Sequence, residues 1–327
     1  MPYAVSGYES MIQADTLPSV SIVMPCYNAA HHLALSIGSV QQQTFTHWEL
    51  IVVDDGSSDV SWGVLEALST ADPRIRIFKQ TNAGAAAARN HGLRNVRGDY
   101  TAFLDADDTW NTHFLELMVA ALEASSEPGI AYCGWQNLGV EGGRGAPFIP
   151  PDYETASKLE ALLEGCRWPI HGALTRSKLI QACGGFDESL SSCMDYDLWL
   201  RLGTVHPLFR VPQVLAYYHH HGGEQITKNA ARIAFNHWRT QNKFLRTNAA
   251  VKTVLGAQRI RELTVGALLQ RGYAAYWTRD LSAARAIFRL VMKQGYGQPK
   301  DWFYMLPSLL PEKLHRSLIR IAESHTN

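Results

Sequence analysis

The feature that most constrains the fold is an alternation of short apolar runs with amphipathic segments over the first 125 residues. The runs have the length of buried strands, and the segments between them space their apolar residues three or four apart, as helices do. Strand and helix in alternation predict a largely parallel sheet covered by helices on both faces. The predicted strands are Val20–Met24, Trp48–Val53, Ile75–Phe78 and Tyr100–Leu104, and the predicted helices are His31–Gln43, Val64–Leu68, Ala85–Val96 and Thr112–Ala124.

Polar clusters follow three of the four predicted strands. They are Pro25–Asn28, Asp54–Asp59 and Asp105–Asp108. In open α/β sheets, ligands bind beyond the carboxyl ends of the strands. One edge of the sheet therefore gathers carboxylates and an aromatic ring, and this edge is the candidate site.

The rest of the chain has a different character. Residues 126–227 are less regular, with a Gly/Pro-rich stretch at Gly139–Pro151, and residues 228–327 have a helical pattern without strand alternation. Residues 1–227 carry 13 basic and 25 acidic side chains, whereas residues 228–327 carry 17 basic and 5 acidic ones. This asymmetry suggests that the C-terminal part faces an anionic surface or the acidic part of its own chain.

Composition excludes several classes of protein. With 46% hydrophobic and 18% charged residues among 327, the chain is neither disordered nor a small disulfide scaffold. Its five cysteines are scattered and lack C-x-x-C spacing, which favours a reducing compartment. No basic segment precedes an apolar core near the N-terminus, since the first Lys or Arg is Arg74. We expect a cytoplasmic protein and, from 30 basic residues balanced by 30 acidic ones, no nucleic-acid partner.

Asp105 and Asp107 are candidates for metal binding. Two carboxylates one residue apart at the exit of a buried strand can hold Mg²⁺ or Mn²⁺, which keeps waters and bridges to substrate phosphates. The alternative is that Asp107, Asp108 or Thr109 caps the helix that follows. The apolar strand ahead of these residues and the second acidic turn favour the metal site.

The second acidic turn also has two interpretations. Asp, Gly and Ser form turns for local reasons, so Asp54–Asp59 fits a turn followed by a helix cap. In the functional interpretation, one Asp of this turn accepts a hydrogen bond from a ligand N–H. The aromatic ring of Tyr27 then lies on the same edge, where it can stack on a base.

With these motifs in place, the chain resembles the family 2 glycosyltransferases of the GT-A fold. The resemblance runs from about Val20 to Thr227, and the first four motifs, in their order, are specific. The motifs are Val20–Asn28, Leu50–Asp59, Asn82–Asn90, Gly98–Asp108, Gly184–Glu188 and Asp195–Arg201. The resemblance implies an α/β fold with a Rossmann-like, mostly parallel nucleotide-binding sheet and a C-terminal helical extension. The implied regions are a nucleotide-sugar-binding half (18–125), an acceptor-side half with the catalytic Asp (126–227) and a basic helical extension (228–327).

The resemblance implies roles for residues around the nucleotide. Pro25 and Tyr27 would line the nucleobase pocket, and Asp55 would accept a hydrogen bond from the uracil N–H of a UDP-sugar. Gly84 and Arg89 lie in the segment that flanks the nucleotide in this family.

The resemblance also implies the metal ligands and the base. Asp105, Ala106 and Asp107 match the Asp-x-Asp motif, with Asp107 expected to contact the metal directly. His221 falls where family members often place a histidine near the diphosphate. Asp195 falls at the position of the catalytic base.

Asp195 has a structural alternative. Ser192 to Asp195 fits a capping box ahead of the next helix, although a capping carboxylate can also act as a base because it is held rigidly. Family members commonly have an acid just before this Asp, and here the position is Met194. If that acid helps to orient the acceptor, this chain is expected to bind its acceptor differently. If Asp195 is not the base, Asp197 is the next candidate.

Three consecutive histidines, His219–His221, suggest zinc. Adjacent residues on a strand point to opposite faces, so the three cannot all reach one ion, and a zinc site is the weaker hypothesis. Trp135 and Trp168 could stack on a sugar, but buried packing is the more common fate of tryptophan.

Other nucleotide-binding classes lack their motifs here. A dinucleotide oxidoreductase needs a Gly-rich turn after its first strand, where this chain has Pro25–Asn28, and no P-loop motif is present. The resemblance implies a metal-dependent, inverting transfer from a nucleotide-diphospho-sugar, a UDP-sugar, to a glycan or lipid-linked glycan, with Mn²⁺ or Mg²⁺ as cofactor. The alternative is a non-catalytic sugar-nucleotide or glycan-binding protein that kept the fold.

The C-terminal segment Pro311–Ala322 has the pattern of an amphipathic basic helix. Its apolar face carries Leu314, Leu318 and Ile321, and its basic face carries Lys313, Arg316 and Arg320. Such a helix can rest on an anionic surface, here the inner face of the membrane, or pack against the acidic domain.

Overall fold

The computed structural model describes residues 19–140, 142–221 and 229–317. Its centre is an eight-stranded sheet with the spatial order β3-β2-β1-β4-β7-β6-β8-β5. The strands are β1 (Val20–Cys26), β2 (Trp48–Asp54), β3 (Ile75–Lys79), β4 (Tyr100–Phe103), β5 (Thr109–Trp110), β6 (Ile130–Leu138), β7 (Ala173–Arg176) and β8 (Leu208–His219).

The parallel part of the sheet confirms the four predicted strands. β1 lies between β2 and β4, and β2 also pairs with β3, all in parallel. The sequence predicted that Pro25 ends the first strand, but β1 continues through Pro25 to Cys26. Pairing with β4 stops at Val23, so β1 has a neighbour on one side only at Pro25, and a missing N–H is tolerated at such an edge.

The second half makes the sheet mixed. β7 pairs antiparallel with β4, β6 pairs antiparallel with β7, and β8 runs parallel to β6. The two-residue strand β5 pairs antiparallel with β8 and thereby brings the chain after β4 next to the end of β8. The sequence did not predict these strands, because their pairing depends on residues far apart in the chain.

Helices cover both faces of the sheet and continue into a C-terminal helical extension, which confirms the predicted fold class. The helices are α1 (Ala30–Gln41), α2 (Ser61–Ala71), α3 (Ala85–Leu93), α4 (Phe114–Glu123), α5 (Lys158–Glu164), α6 (Ser177–Ala182), α7 (Met194–Gly203), α8 (Ala230–Thr247), α9 (Ala249–Leu255), α10 (Ala257–Arg261), α11 (Ala267–Trp277), α12 (Leu281–Lys293) and α13 (Pro299–Met305). α1, α2 and α4 share one hydrophobic core with the sheet, while α3, α6 and α7 pack in a second core on its other face.

The extension has a core of its own. Ile287, Phe288 and Val291 of α12 are fully buried against residues of α11, including Leu268 and Leu269. The extension also docks on the sheet domain, because α8 contacts α7 and its Phe244 and Leu245 enter the second core. Helices of the extension therefore form a wall beside the sheet edge.

Across the described ranges, no helix is both long and apolar enough to cross a lipid bilayer. The five cysteines are all free thiols. Of the predicted amphipathic segment, residues 312–317 are helical, whereas Leu318, Arg320 and Ile321 lie outside the described residues.

α3 approaches β1 closely because Gly92 faces the strand. A Cβ at Gly92 would collide with Cγ1 of Val23, a β-branched side chain that is completely buried. A glycine without this constraint lies in α1, where a Cβ at Gly38 would have no atom within 4 Å. The close contact of α3 with β1 positions the N-terminal end of α3 at the candidate site.

We expect Gly92→Ala to destabilise the fold by about 1–3 kcal/mol, since the added methyl overpacks the α3–β1 contact and Val23 cannot easily change rotamer. Gly38→Ala should instead stabilise it by roughly 0.5–1 kcal/mol, because alanine loses less backbone entropy in a helix. Midpoints of urea unfolding for the two variants measure this difference. Equal stabilisation by both substitutions would contradict close packing at Gly92.

Candidate functional site

A cleft of about 1320 Å³ opens at the carboxyl ends of β1, β2 and β4. It brings together nine of the ten residues predicted from the sequence, and the tenth, Gly84, immediately precedes the cleft residue Ala85. The nine are Pro25, Tyr27, Asp55, Arg89, Asp105, Ala106, Asp107, Asp195 and His221. Residues scattered over almost 200 positions of the chain therefore share one cleft.

The end of the cleft near β1 carries an exposed aromatic ring. Tyr27 is 54% exposed, which leaves one face of its ring open for stacking. The neighbouring Asn28 has a φ of 49°, and its side-chain oxygen accepts hydrogen bonds from the backbone N–H groups of Ser58 and Asp59. The backbone N–H of Asn28 in turn donates to the hydroxyl of Ser57. These bonds lock the loops after β1 and β2 together behind Tyr27.

Asp55 is buried and already bonded. Its Oδ1 accepts hydrogen bonds from Gln80 Nε2 and the N–H of Ala83, and its Oδ2 accepts one from the N–H of Gly84, each at 2.8 Å. A carboxylate has about four acceptor positions, so one is left for a ligand. Acceptance of a hydrogen bond from uracil stays a prediction. The observed role of Asp55 is to hold the segment that leads into α3.

α3 points its N-terminal end at the cleft. Gly84 is its N-cap with a φ of 91°, a conformation that favours glycine, and Ala85 lines the cleft. The first N–H groups of a helix lack partners within the helix and carry partial positive charge. This end of α3 is therefore suited to an anionic group such as a phosphate.

Arg89, one turn further along α3, is held between two chain segments. Its Nη2 forms an ion pair with Oδ1 of Asp105, and its Nη1 lies 3.2 Å from Sδ of Met194. Met194 is buried, so the position where relatives commonly have an acid is filled here by a thioether packed on a guanidinium. Asp105 consequently supplies the carboxylate that neutralises Arg89.

Asp107 is the acid of the motif that contacts a histidine of the cleft. Its Oδ2 lies 2.9 Å from Nε2 of His221, and both side chains are about a quarter exposed. The ring of His32 packs against that of His221 at a tilt of 32°, with ring centroids 4.6 Å apart. Among the described residues, no group of three or more His, Cys, Asp or Glu side chains could hold a metal ion. One carboxylate and one imidazole fit an ion that completes its coordination with phosphate oxygens and water.

The helix-capping alternative for the acidic motif is wrong. α4 begins at Phe114 and its N-cap is His113, several residues past the motif. Asp108 is instead buried, where its Oδ1 accepts a hydrogen bond from the N–H of His219 and its Oδ2 lies 3.1 Å from Nδ1 of His171. Burial raises the pKa of Asp108 and lowers the pKa of His171 to about 4, which favours the neutral form of each.

Asp195 lies in the first turn of α7 and faces the cleft. Burial raises its pKa above the usual value, and the hydrogen bond from the N–H of Tyr196 and the charge of Arg89 oppose that shift. Its Oδ2 lies 3.9 Å from the thiol of Cys166. A carboxylate with a raised pKa in a cleft has the character of a general base.

The predicted capping box at Asp195 does not form. Cys193, with a φ of 59°, is the N-cap of α7 and makes no side-chain capping bond. The hydroxyl of Ser192 accepts a hydrogen bond from Nδ2 of Asn236 at 2.9 Å instead. The only part of a cap that Asp195 supplies among the described residues is its hydrogen bond from the N–H of Tyr196 in the first turn of α7.

Asp197, the second candidate for the base, is occupied elsewhere. It is 2% exposed and forms ion pairs with Arg201 at 2.8 Å and with Lys243 at 3.0 Å. The pair with Arg201 lies within α7, and the pair with Lys243 fastens α7 to α8. Both oxygens of this buried carboxylate are bonded to cations of α7 and α8, so Asp197 does not face the cleft as a free carboxylate and Asp195 is left as the candidate.

The three consecutive histidines separate as predicted. His219 Nε2 lies 2.9 Å from Oγ1 of Thr109, whereas His221 meets Asp107. Of the two tryptophans considered for sugar stacking, Trp168 is buried and stacks on Tyr132, and Trp135 packs against Phe148.

Sequence reasoning missed the wall of the cleft opposite the sheet edge. It consists of residues from the loop after α5 and from the helices of the extension: Cys166, Arg167, His237, Gln270 and Arg271. No local pattern marks these residues. They reach the cleft because α8 and α11 pack beside α7.

Residues 21–164 match the sequence profile of glycosyl transferase family 2. An uncharacterised glycosyltransferase of Rickettsia felis is 35% identical over 195 residues, which are 58% of this chain and 32% of the relative. One of Rickettsia typhi is 32% identical over 215 residues, 63% of this chain and 65% of the relative. Chondroitin synthase of Escherichia coli is 28% identical over 264 residues, 75% of this chain and 35% of the relative. The chain spans less than two thirds of the length of each of these relatives.

Solved structures share the fold. The chain is similar to residues 1–349 of TarS from S. aureus, crystallised with UDP-GlcNAc, with a TM-score of 0.56 and 18% identity over 84% of both chains. It is also similar to the mannosyltransferase PcManGT from Pyrobaculum calidifontis, in complex with GDP-Man and Mn²⁺. That TM-score is 0.54, with 18% identity over 90% of this chain and 86% of the other. In sequence over residues 21–164, the chain is therefore similar to glycosyl transferase family 2, and its fold is that of the GT-A glycosyltransferase structures.

Proposed function

We propose that the protein is a metal-dependent, inverting glycosyltransferase that moves a sugar from a nucleotide-diphospho-sugar to a glycan or lipid-linked glycan. The observation that carries this proposal is that the Asp107–His221 pair and the carboxylate of Asp195 line the same cleft. In the proposed division, residues 18–125 bind the donor, residues 126–227 supply the base and the acceptor side, and residues 228–327 form the basic extension.

A UDP-sugar is the proposed donor. Tyr27 offers an open ring face for the base, and Asp55 has an acceptor position left for a uracil N–H. The TarS structure, which holds UDP-GlcNAc, and chondroitin synthase, which builds a glycan by its name, support a sugar nucleotide and a glycan acceptor. The GDP-Man complex of PcManGT shows that this fold also accepts guanine, so the choice of base rests on Asp55.

The diphosphate is proposed to lie between the N-terminal end of α3 and the acidic motif. Asp107 and His221 would hold Mn²⁺ or Mg²⁺, which acts as a Lewis acid toward the leaving diphosphate. The N–H groups at the start of α3 add partial positive charge at the same place. Arg89 keeps Asp105 neutralised and in position, so the motif presents Asp107 rather than two free carboxylates.

Asp195 is the proposed general base. Its carboxylate would take the proton from the acceptor hydroxyl as that oxygen attacks the anomeric carbon from the face opposite the diphosphate. One such displacement inverts the anomeric centre and gives a β-linkage from an α-linked donor. The raised pKa of Asp195 makes it a better proton acceptor than an exposed aspartate.

The extension is also proposed to contact an anionic membrane surface. Four apolar side chains near its C-terminal end are more than half exposed: Phe303, Leu306, Leu309 and Leu314. Lys313 lies next to Leu314 in the chain, and residues 228–327 carry 17 basic against 5 acidic side chains. Apolar residues beside basic ones suit the interface of a membrane that contains anionic lipid.

We expect UDP with Mn²⁺ to raise the melting temperature of the wild type, and Asp107→Asn to abolish the Mn²⁺-dependent part. At 100 times the Kd, binding is worth about 2.7 kcal/mol of stability, which a thermal-shift assay detects readily. Asp99→Asn, which removes an exposed carboxylate of the same size, is the control and should behave as wild type. A Mn²⁺-dependent shift that persists in Asp107→Asn would overturn the assignment of the metal ligand.

Asp195→Asn should lower kcat by about 10²–10⁴-fold and leave UDP affinity with Mn²⁺ unchanged, because a general base acts only in the chemical step.

In the wild type, kcat/KM should fall as the pH drops through the raised pKa of Asp195, since only the carboxylate accepts a proton. This acid limb should lie above pH ~4, the ordinary range of aspartate. Donor hydrolysis and sugar transfer measure both effects; full turnover by Asp195→Asn would instead require another base. If the wild type shows neither donor hydrolysis nor sugar transfer, the alternative hypothesis of a non-catalytic binding protein is favoured.

Vesicles that contain phosphatidylglycerol should sediment the wild type at low salt, and neutral phosphatidylcholine vesicles should not. Leu306→Ser with Leu309→Ser should reduce the bound fraction several-fold, because the apolar insertion is lost. Val205→Ser with Val254→Ser removes two apolar side chains elsewhere that are even more exposed, at 71% and 70%, and is the matched control. Equal sedimentation by both double variants would exclude this surface as the membrane contact.

A further inference from the structure

Three arginines line the cleft, and they differ in their partners. Arg89 forms its ion pair with Asp105, and Arg167 forms one with Glu164 at 2.5 Å. Arg271, on α11 of the extension, has no hydrogen bond or ion pair to any residue within the described ranges. The cleft thus contains one guanidinium, that of Arg271, for which the described residues provide no acidic partner.

Arg271 reaches the cleft from α11 of the extension, whereas Asp107 and His221 follow the ends of β4 and β8. Arg89 joins Asp105 to Met194, the residue before Asp195, and the thiol of Cys166 lies 3.9 Å from Asp195. Cys166, Cys193 and Tyr196 are in turn the electrostatic neighbours of Arg271. Arg271 is therefore grouped with Cys166 and Asp195 rather than with the acidic motif, and we assign this part of the cleft to the acceptor.

The charge of Arg271 is only partly solvated. Burial lowers the pKa of its guanidinium, yet an arginine keeps its proton at every physiological pH. A partly buried cation without an anion is unfavourable, and a ligand that carries an anion removes that penalty. The planar fork of arginine matches two oxygens of a carboxylate or a phosphate.

The surroundings of Arg271 offer room for a chain of sugars. Gln270, its neighbour on α11, lines both the catalytic cleft and a second cavity of about 1250 Å³ in the extension. That second cavity has aromatic walls from Tyr273, Trp277 and Tyr304. An acceptor that passes Arg271 can therefore extend along α11.

We propose that Arg271 is a specificity residue that binds an anionic oxygen group of the acceptor, either the carboxylate of an acidic sugar or a phosphate. This inference rests on the proposed function, because it takes Asp195 as the base that faces the acceptor hydroxyl. The acceptor presents its hydroxyl to Asp195 and its anion to Arg271. A neutral acceptor leaves the guanidinium unpaired and binds more weakly.

Two pairs of small probes separate the two anions. Methyl glucuronide against methyl glucoside tests the carboxylate, and glucose 6-phosphate against glucose tests the phosphate. NMR titration of the full chain gives a Kd for each probe, and UDP with Mn²⁺ is titrated separately. At least one anionic probe should bind about tenfold or more tightly than its neutral counterpart, the usual strength of hydrogen bonds to charged groups.

Arg271→Gln should remove the preference for the anionic probe and leave the affinities for the neutral probe and for UDP with Mn²⁺ within twofold of wild type. Arg271→Lys should retain part of the preference, since lysine keeps the charge but not the fork. Arg246→Gln removes an exposed arginine of α8 outside the cleft and should match wild type. Melting temperatures verify that each variant is folded.

Two results would overturn the proposal. One is equal binding of anionic and neutral probes by the wild type. The other is a loss of affinity in Arg271→Gln that falls on UDP with Mn²⁺, since Arg271 would then serve the donor. Wild-type protein that prefers the anionic probe through Arg271 but binds no UDP with Mn²⁺ would contradict the proposed function and leave the anion site standing.

Discussion

The ion pair of the buried Arg89 with the partly exposed Asp105 is the interaction on which the rest of the site depends. It joins α3 to the acidic motif after β4, and the same guanidinium contacts Met194 at the start of α7. Both halves of the cleft are thereby positioned by one side chain that is only 5% exposed. Removal of one partner from such a pair costs about 3–5 kcal/mol because the other charge stays buried. The pair therefore fixes the distance between the acidic motif and Asp195.

The acidic motif shows how neighbouring carboxylates acquire different tasks. Asp105 neutralises a cation, Asp107 reaches a histidine at the cleft, and Asp108 is buried against the backbone of β8. Like charges this close repel each other, and the charges of Asp105 and Asp107 add to the burial that raises the pKa of Asp108. Because Asp105 has its counter-ion and burial favours the neutral form of Asp108, Asp107 is the acid that is free to serve a metal ion.

The parallel half of the sheet and the nucleotide edge were predictable, because each strand is a local apolar run and each polar cluster follows its strand directly. The resemblance to a family added a role for His221 near the diphosphate. The structure brings it to Asp107 over a separation of 114 residues, a contact that no local pattern carries. Local motifs gave the wrong role for residues whose partners are distant in the sequence. Ser192 looks like a helix cap but bonds to Asn236, and Asp197 looks like a second base but neutralises Lys243 of α8.

The split of charge along the chain connects these observations. The basic extension neutralises part of the acidic sheet domain through contacts such as Lys243 with Asp187 and Asp197, which explains why α8 docks on α7. Arg271 belongs to the same extension but finds no such acid among the described residues, although Asp195 lines the same cleft. If Arg271 paired with Asp195, it would lower the pKa of the base and weaken it as a proton acceptor. Because no ion pair joins Asp195 to Arg271 among the described residues, the proposed base keeps its raised pKa and the guanidinium stays available for the proposed acceptor.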